Sequence, residues 1–150
     1  MTRINVVPVA ELCDQHLLAE HRELTRIPNG ILSGKLQRSY ADEPTEYTLG
    51  TGHVKFFVDK LDWLHTRYTW LIDECNYRGF DVADRFPPMW AETSGYSVTP
   101  AAIALNRARI NQRLQTMATR GKLQSQHLPC WTRRNAPDWI TCSLWAHKPI

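Results

Sequence analysis

The start of the chain carries a group that can act as a nucleophile. The first residues are Met1, Thr2 and Arg3, and a residue as small as threonine at the second position normally allows the initiator methionine to be removed. The exposed α-amino group of Thr2 would have an ordinary pKa of about 7.7 to 8.0, so a useful fraction is neutral near pH 7. A neutral amine attacks an electrophilic sugar carbon and forms a Schiff base. Many chains begin Met-Thr without such a role, so this feature alone does not identify an enzyme.

A second group of reactive side chains lies in the segment Glu20-His21-Arg22-Glu23-Leu24-Thr25-Arg26. Arg22 and Arg26 are one helical turn apart, so both can face phosphate groups. Glu23 is adjacent and can transfer a proton or stabilise a positively charged intermediate. His16 precedes this segment by one to two turns, where it can donate to a phosphate or pack at the edge of the core. The alternative interpretation of the whole segment is ion pairing along an exposed helix.

Two other kinds of site are not expected. The segment Leu49-Gly50-Thr51-Gly52-His53-Val54 superficially resembles a phosphate-binding loop, but it lacks a third glycine, a Gly-Lys-Ser/Thr ending and a preceding strand. We interpret its glycines as residues that allow a tight helix start. His16 and His21, with their neighbouring glutamates, do not have the His-Glu-x-x-His spacing of a zinc site. We therefore predict neither a metal nor a small-molecule cofactor.

Positive charge is concentrated in one part of the chain. The whole chain has a net charge of +3, whereas residues 93–137 contain seven basic and no acidic residues. The basic residues of this window are Arg107, Arg109, Arg113, Arg120, Lys122, Arg133 and Arg134. A basic third on an otherwise mildly acidic chain is typical of a protein that lays one surface on a polyanion. The alternative is a solvated basic helix face.

Composition and length indicate an ordinary globular protein of 150 residues, which we expect to form one domain, residues 1–150. The four cysteines are far apart without a Cys-x-x-Cys pair, so we interpret them as reduced thiols. No apolar run approaches the roughly 18 residues of a membrane span, and the N-terminus lacks the apolar core of a signal peptide. We therefore expect a cytosolic protein that does not bind a membrane.

The helices that must position these residues follow from periodicity. Residues from Val9 to about Thr25 predict an amphipathic helix that bends at Pro28 and Gly30 and resumes as a shorter piece through Leu36. Residues 39–48 are polar, contain a proline and are typical of a loop.

Two further helices are predicted. Apolar residues recur at steps of three and four from Val54 to Cys75, and Gly79 has the position of a C-terminal cap. Thr99 and Pro100 are typical of a helix start. That third helix has an apolar face of Ile103, Ile110, Leu114 and Met117. We expect an all-α fold, a single compact domain of three main helices with long loops and an irregular aromatic C-terminal tail.

Taken together, the segments resemble the pyrimidine-dimer DNA glycosylase/abasic lyase family, typified by endonuclease V of the T-even bacteriophages. The resemblance is collinear from about Met1 to Leu114. The matching residues are Met1 to Asn5, Glu11-Leu12, Asp14 to Leu17, Ala19-Glu20, Arg22 to Leu24, Arg26, Leu49-Gly50, Gly52 to Val54, Phe56-Phe57, Asp59 to Leu61, Glu74-Cys75, Arg78 to Phe80 and, more weakly, Ala108-Arg109.

The resemblance implies a role for each of these groups. Thr2 would attack C1′ of the damaged nucleotide, displace the base and form an imine, and Glu23 would assist glycosidic cleavage and the later elimination. The implied contacts to double-stranded damaged DNA come from Arg3, Gln15, His16, Arg22, Arg26, Arg109 and Arg113. Trp131 stands where the family has a tryptophan. The family kinks DNA and flips out a nucleotide opposite the lesion. We expect the protein to act as a monomer.

Departures from the family pattern leave alternatives open. Residues 27–46 show little of it, and the aromatic-rich C-terminal segment is replaced by Pro129-Cys130-Trp131-Thr132-Arg133-Arg134, without the family's tyrosines. One alternative is therefore the same chemistry on another damaged or modified base, or on abasic sites alone. A second is a non-catalytic helical DNA-binding protein that uses the same arginines. A third, an N-terminal-threonine hydrolase, is disfavoured because the sequence contains no strand-rich region.

Overall fold

Helices account for the regular structure of this protein. The computed structural model describes residues 3–88 and 94–121. In chain order the elements are a 3₁₀ turn at Val9–Glu11, α1 at Asp14–Leu24, α2 at Arg26–Leu32, α3 at His53–Phe57, α4 at Leu61–Tyr77 and α5 at Pro100–Thr119. No strand occurs among the described residues, and the predicted all-α class is confirmed. The predicted aromatic tail lies outside them.

Helices α1 and α4 pack against each other and form the centre of the core. α4 buries one apolar face at steps of three and four residues, and α1 contributes Leu17 and Leu24, both fully buried. The buried apolar residues of α4 are Leu61, Trp63, Leu64, Tyr68, Leu71 and Cys75. Burying a large apolar side chain contributes about 1.5 to 3 kcal/mol, so this seam is the main apolar source of stability.

Helix α5 begins as the sequence predicts. The Thr99 side chain accepts a hydrogen bond from Ala102 N, and Pro100 occupies the first helical position. Ile110 and Leu114 are buried on the predicted apolar face, and Ile103 and Met117 are half-buried. Asn106 is fully buried on the same side. A polar residue therefore occupies a core position of α5.

The start of α1 and the course of α2 differ from the prediction. The Val9–Glu11 turn is separate from α1, because the Arg78 guanidinium donates to the carbonyls of Val9 and Ala10, and Cys13 caps α1 at its own N-terminus. The bend lies at Thr25 instead of Pro28. Pro28 is accommodated in the first turn of α2, where a backbone N–H has no helical partner in any case.

The helix predicted from Val54 to Cys75 is interrupted between α3 and α4. Lys60 has φ −118° and ψ 39°, outside the helical region. Its Nζ donates to the Phe56 carbonyl at 2.7 Å, while its backbone N donates to Phe57 O at 3.0 Å. In a continuous helix the Phe56 carbonyl would accept a hydrogen bond from the Lys60 backbone N–H. Here the Lys60 side chain donates to that carbonyl instead. The apolar period runs through this break, which is why periodicity did not reveal it.

Helix α4 ends at the glycine that the sequence indicates. Gly79 has φ +89°, Gly79 N donates to Asn76 O and Phe80 N donates to Cys75 O. This pair of bonds is the Schellman motif, which places a left-handed residue at the helix end. None of the helices in residues 3–88 and 94–121 is long and apolar enough to cross a membrane.

Substitution of Gly79 tests this helix end. A Cβ added at Gly79 would meet nothing within 4 Å, so Gly79→Ala changes only backbone strain. We expect the free energy of unfolding to fall by about 1 to 2 kcal/mol, because an L-residue in the left-handed region carries that cost. Urea denaturation measures it, with Asn76→Ala on the exposed face of α4 as the control. An unchanged stability of Gly79→Ala would show that the cap is not strained.

Candidate active site and nucleic-acid interface

The N-terminal segment, defined here as residues 3–7, lies in the interior without pairing to a strand. Ile4 to Val7 are all buried. Arg3 N donates to Glu23 Oε2 at 3.4 Å, and Ile4 N donates to His53 Nε2 at 2.8 Å. The Tyr47 hydroxyl donates to Ile4 O at 2.9 Å. Side chains therefore replace the backbone partners that a buried segment ordinarily obtains from a sheet.

Asn106 of α5 holds the other end of the N-terminal segment. Its Oδ1 accepts from Val6 N at 2.8 Å and from Val7 N at 3.2 Å. Its Nδ2 donates to Asn5 Oδ1 at 2.9 Å. Arg67 of α4 donates to Val7 O. One amide side chain thus satisfies two backbone donors and one side-chain acceptor, and it fixes α5 against the start of the chain.

A buried ion pair connects this arrangement to the α1–α4 core. The side chains of Glu20 and Arg67 are 1% and 2% exposed. Arg67 Nε donates to Glu20 Oε2 at 2.8 Å and Arg67 Nη2 donates to Glu20 Oε1 at 3.1 Å. Asn5 Nδ2 donates to Glu20 Oε1 at 2.7 Å. A buried pair with both carboxylate oxygens hydrogen-bonded offsets the cost of removing its charges from water.

Glu23 lies at the edge of this arrangement, where solvent begins. Its side chain is 17% exposed, with one oxygen toward Arg3 N and the other 4.0 Å from Arg26 Nη1. Glu23 follows Glu20 by three residues on α1, so one carboxylate is in the core and the next is at the surface beside the chain start. A carboxylate in this position can accept a proton from, or stabilise a positive charge on, a group bound at the N-terminus.

Three arginines from two parts of the chain lie close together. Burial lowers the pKa of Arg3, and the positive charges of Arg109 and Arg113 lower it further, whereas Tyr47 and Glu23 act in the opposite direction. Arg3 therefore lies within electrostatic reach of two arginines of α5. A phosphate bound beside Arg3 would relieve this repulsion.

The other predicted DNA contacts lie on α1 and at the start of α2. Gln15 and Arg22 are seven residues apart on α1, so they share a face, and both are exposed. Arg26 is exposed at the first position of α2. His16 is half-buried, and its backbone N donates to Cys13 Sγ. Thr2 and Trp131 lie outside the described residues.

The sequence interpretation missed the buried polar residues. The alternative interpretation of the Glu20–Arg26 segment places Glu20 on an exposed ion-paired helix, whereas Glu20 is buried. Asn106 and Arg67 are not among the predicted site residues. Both Asn106 and Arg67 have the helical spacing of an apolar face. Asn106 is four residues from Ala102 and from Ile110, and Arg67 lies between Leu64 and Leu71. A polar residue at a core position of a helix was the available signal.

His53 was interpreted only as part of a helix start. Gly50 and Gly52 have positive φ and Gly52 precedes α3, which confirms that interpretation of the glycines. The structure adds that His53 binds the N-terminal segment.

Among residues 3–88 and 94–121, no group of three or more His, Cys, Asp or Glu side chains is arranged to hold a metal ion.

Comparison with protein families shows a match over more than half of the chain. Residues 1–87 match the family model described as pyrimidine dimer DNA glycosylase. The matched range includes the N-terminal segment and α1 to α4, and it ends before α5. The family match therefore does not cover the α5 residues Asn106, Arg109 and Arg113. Their place in the site rests on their contacts with the N-terminal segment.

Breaking the buried ion pair tests what holds the N-terminal segment. Glu20→Gln leaves the Arg67 charge buried without a carboxylate, and we expect the free energy of unfolding to fall by about 3 to 5 kcal/mol. Glu46→Gln makes the same chemical change at an exposed position and should alter it by no more than about 0.5 kcal/mol. Urea denaturation measures both. Equal effects of the two changes would show that the buried Arg67 charge does not depend on the Glu20 carboxylate.

Proposed function

Because the chain belongs to the pyrimidine dimer DNA glycosylase family, we propose that it excises cyclobutane pyrimidine dimers from double-stranded DNA by attack of its N-terminal amine and then cleaves the strand at the abasic site. The observation that carries the mechanism is the 3.4 Å hydrogen bond from Arg3 N to Glu23 Oε2. It brings an acidic side chain to the position where the chain begins.

Thr2 supplies the nucleophile in this proposal. Its α-amino nitrogen is three covalent bonds from Arg3 N, which limits their separation to about 4.3 Å. The described position of Arg3 therefore keeps the amine in the neighbourhood of Glu23. The proposal requires removal of Met1, because a retained methionine would convert this nitrogen into an amide, which is not a nucleophile. Intact-mass measurement of the protein decides whether Met1 is removed.

The proposed reaction proceeds in balanced steps. The amine lone pair forms a bond to C1′ while the N-glycosidic bond breaks, and its electron pair leaves with the base, which takes up a proton. The amine nitrogen loses a proton, and its lone pair then forms the C1′=N bond while the C1′–O4′ bond breaks. O4′ takes up a proton, and the sugar ring is open. Removal of a C2′ proton then allows the C3′–O bond to break, with the phosphate as the leaving group.

Glu23 serves as the acid-base partner in these steps. Its carboxylate accepts a hydrogen bond from Arg3 N, one residue after the amine. In the proposed mechanism it accepts the amine proton and stabilises the iminium charge. The bond from Arg3 N orients it. The nearby arginines supply phosphate contacts and do not replace the proton acceptor, because guanidinium remains protonated at neutral pH.

The proposed DNA contacts lie on both sides of Arg3. Arg3 interacts electrostatically with Glu23 and with Arg109 and Arg113 of α5. Arg26 Nη1 lies 4.0 Å from Glu23 Oε1, and Arg22 is exposed on α1. Gln15 and His16 add donors at the start of α1, and Trp131 is the candidate for base stacking. The protein is too small to enclose DNA, so access to C1′ requires a kinked duplex and an extruded nucleotide, here opposite the lesion. We propose that it acts as a monomer.

Borohydride trapping tests the nucleophile and the lesion together. A duplex with one cyclobutane thymine dimer should give a covalent adduct that maps to Thr2, and an abasic-site duplex should give the same adduct. Glu23→Gln should lower the trapping rate at least about 100-fold, because it removes the acid-base group. An alanine inserted between Met1 and Thr2 keeps a free amine but moves it by one residue, about 3.8 Å, and should also abolish trapping.

The outcomes separate the competing functions. An adduct on the abasic duplex alone keeps the amine chemistry and contradicts dimer excision. No adduct on either duplex, with DNA binding intact, favours a non-catalytic DNA-binding protein. An adduct on a lysine contradicts the N-terminal nucleophile.

Salt dependence tests the cationic surface. Arg22→Ala should weaken binding to damaged and undamaged duplex alike and reduce the slope of log affinity against log salt by about 1, because one fewer phosphate is neutralised. Lys55→Ala is the matched control, since the Lys55 ammonium is already paired with Asp42 at 2.6 Å. Fluorescence anisotropy at several salt concentrations measures the slope. The same slope for wild type and Arg22→Ala would exclude Arg22 from phosphate contact.

A further inference from the structure

His53 occupies a buried site at the first position of α3. It is 4% exposed, and its ring makes edge contacts with Tyr47 at 5.6 Å and Phe57 at 5.4 Å between centroids. Nε2 lies 2.8 Å from Ile4 N and Nδ1 lies 2.7 Å from Thr48 O. Both ring nitrogens are therefore committed to backbone groups.

These two partners determine the protonation state of the ring. Thr48 O can only accept, so Nδ1 carries the proton. Ile4 N–H can only donate, so Nε2 must be unprotonated. A second proton on Nε2 would point at the Ile4 N–H and remove the acceptor. The bond to Ile4 therefore exists only with neutral imidazole.

We propose that neutral His53 is a positioning residue for the amine nucleophile, an inference that rests on the proposed function. Ile4 is two residues from Thr2, and His53 and Tyr47 hold both the N–H and the carbonyl of Ile4. The backbone N–H of Arg3, one residue before Ile4, donates to Glu23 Oε2. Releasing Ile4 N–H lets the chain start move away from this carboxylate, while the DNA-binding arginines of α1 and α5 stay in place.

The groups around the ring keep it neutral. Burial lowers the pKa of His53 below its usual 6.5. The hydrogen bond to the Thr48 carbonyl raises this pKa, the charge of Arg3 in the N-terminal segment lowers it, and the charge of Glu20 on α1 raises it. The Tyr47 hydroxyl is committed to Ile4 O. Because the folded-state pKa lies below the unfolded one, this group's contribution to stability is present above about pH 6.5 and is lost as pH falls through the folded-state pKa.

Two substitutions separate positioning from space filling. His53→Gln places a carbonyl oxygen near the Nε2 position, so it can accept from Ile4 N–H but cannot take up a proton. His53→Leu fills the site without an acceptor. His65→Gln, at an exposed position of α4, is the matched histidine control.

The measurement is the single-turnover rate of borohydride-trapped adduct formation on an abasic-site duplex, with the dissociation constant determined in parallel. At pH 7.5 we expect His53→Leu to lower the rate at least about tenfold, because a shift of about 1 Å in a reacting group can cost on the order of 100-fold. Its dissociation constant should rise by less than the rate falls, because Arg3 moves with the segment whereas Arg22, Arg109 and Arg113 stay in place. His53→Gln should retain most of the rate, and His65→Gln all of it.

The pH profile supplies a readout that a merely structural role would not change. Protonation of the amine and of Glu23 affects wild type and His53→Gln equally, so the ratio of their rates isolates His53. The wild-type rate divided by the His53→Gln rate should fall as pH decreases below 6.5. A constant ratio down to pH 4.5, or an unimpaired His53→Leu, would overturn the proposal.

Nitrogen NMR of the free protein tests the geometry without activity. His53 should show a protonated Nδ1 and an unprotonated Nε2 at pH 7.5, and the opposite tautomer would overturn the proposal. If the wild type gives no adduct, the proposed function fails, and the NMR result alone decides whether His53 binds Ile4. If His53→Leu does not fold by circular dichroism, the pH ratio with His53→Gln carries the test.

Discussion

The structure depends on a buried polar cluster that holds residues 4–7 inside a helical protein. Peptide groups of a buried segment need partners, and no strand is available among residues 3–88 and 94–121. Glu20, Arg67 and Asn106 meet this need with side chains from α1, α4 and α5. A buried ion pair is a weak source of net stability because its charges are desolvated. Its role here is positional, because Asn5 Nδ2 donates to Glu20 Oε1 and Arg67 donates to Val7 O.

The position of the candidate site follows from these contacts. Once residues 4–7 are fixed, Arg3 N lies beside Glu23, and Arg3 lies within electrostatic reach of the α5 arginines Arg109 and Arg113. The carboxylates of Glu20 and Glu23, on adjacent turns of α1, lie in different surroundings. Glu20 is enclosed and paired, whereas Glu23 reaches solvent. In the proposed mechanism the buried cluster restricts the residues that follow the nucleophile, because residues 4–7 are held by side chains of three helices.

Periodicity in the sequence predicts α4 and α5, the Thr99 cap and the Gly79 helix end, because each rests on local chemistry. It does not predict the break at Lys60 or the separate 3₁₀ turn before α1, where the side chains of Lys60 and Arg78 replace backbone donors. Resemblance to the family indicates Glu23 and the arginines as site residues. It does not indicate that Asn106 binds the backbone of residues 6 and 7, because that contact spans about a hundred residues of chain.

Native-state amide hydrogen exchange at Ile4, Val6 and Val7 tests the central claim most directly. These amides are outside any helix, yet their acceptors are His53 and Asn106. If side chains hold the N-terminal segment, the three amides exchange as slowly as those in the middle of α4, through an opening that requires nearly global unfolding. Exchange at the rate of an exposed chain end, with α4 still protected, would show that the segment is not held and that the chain start is not positioned beside Glu23.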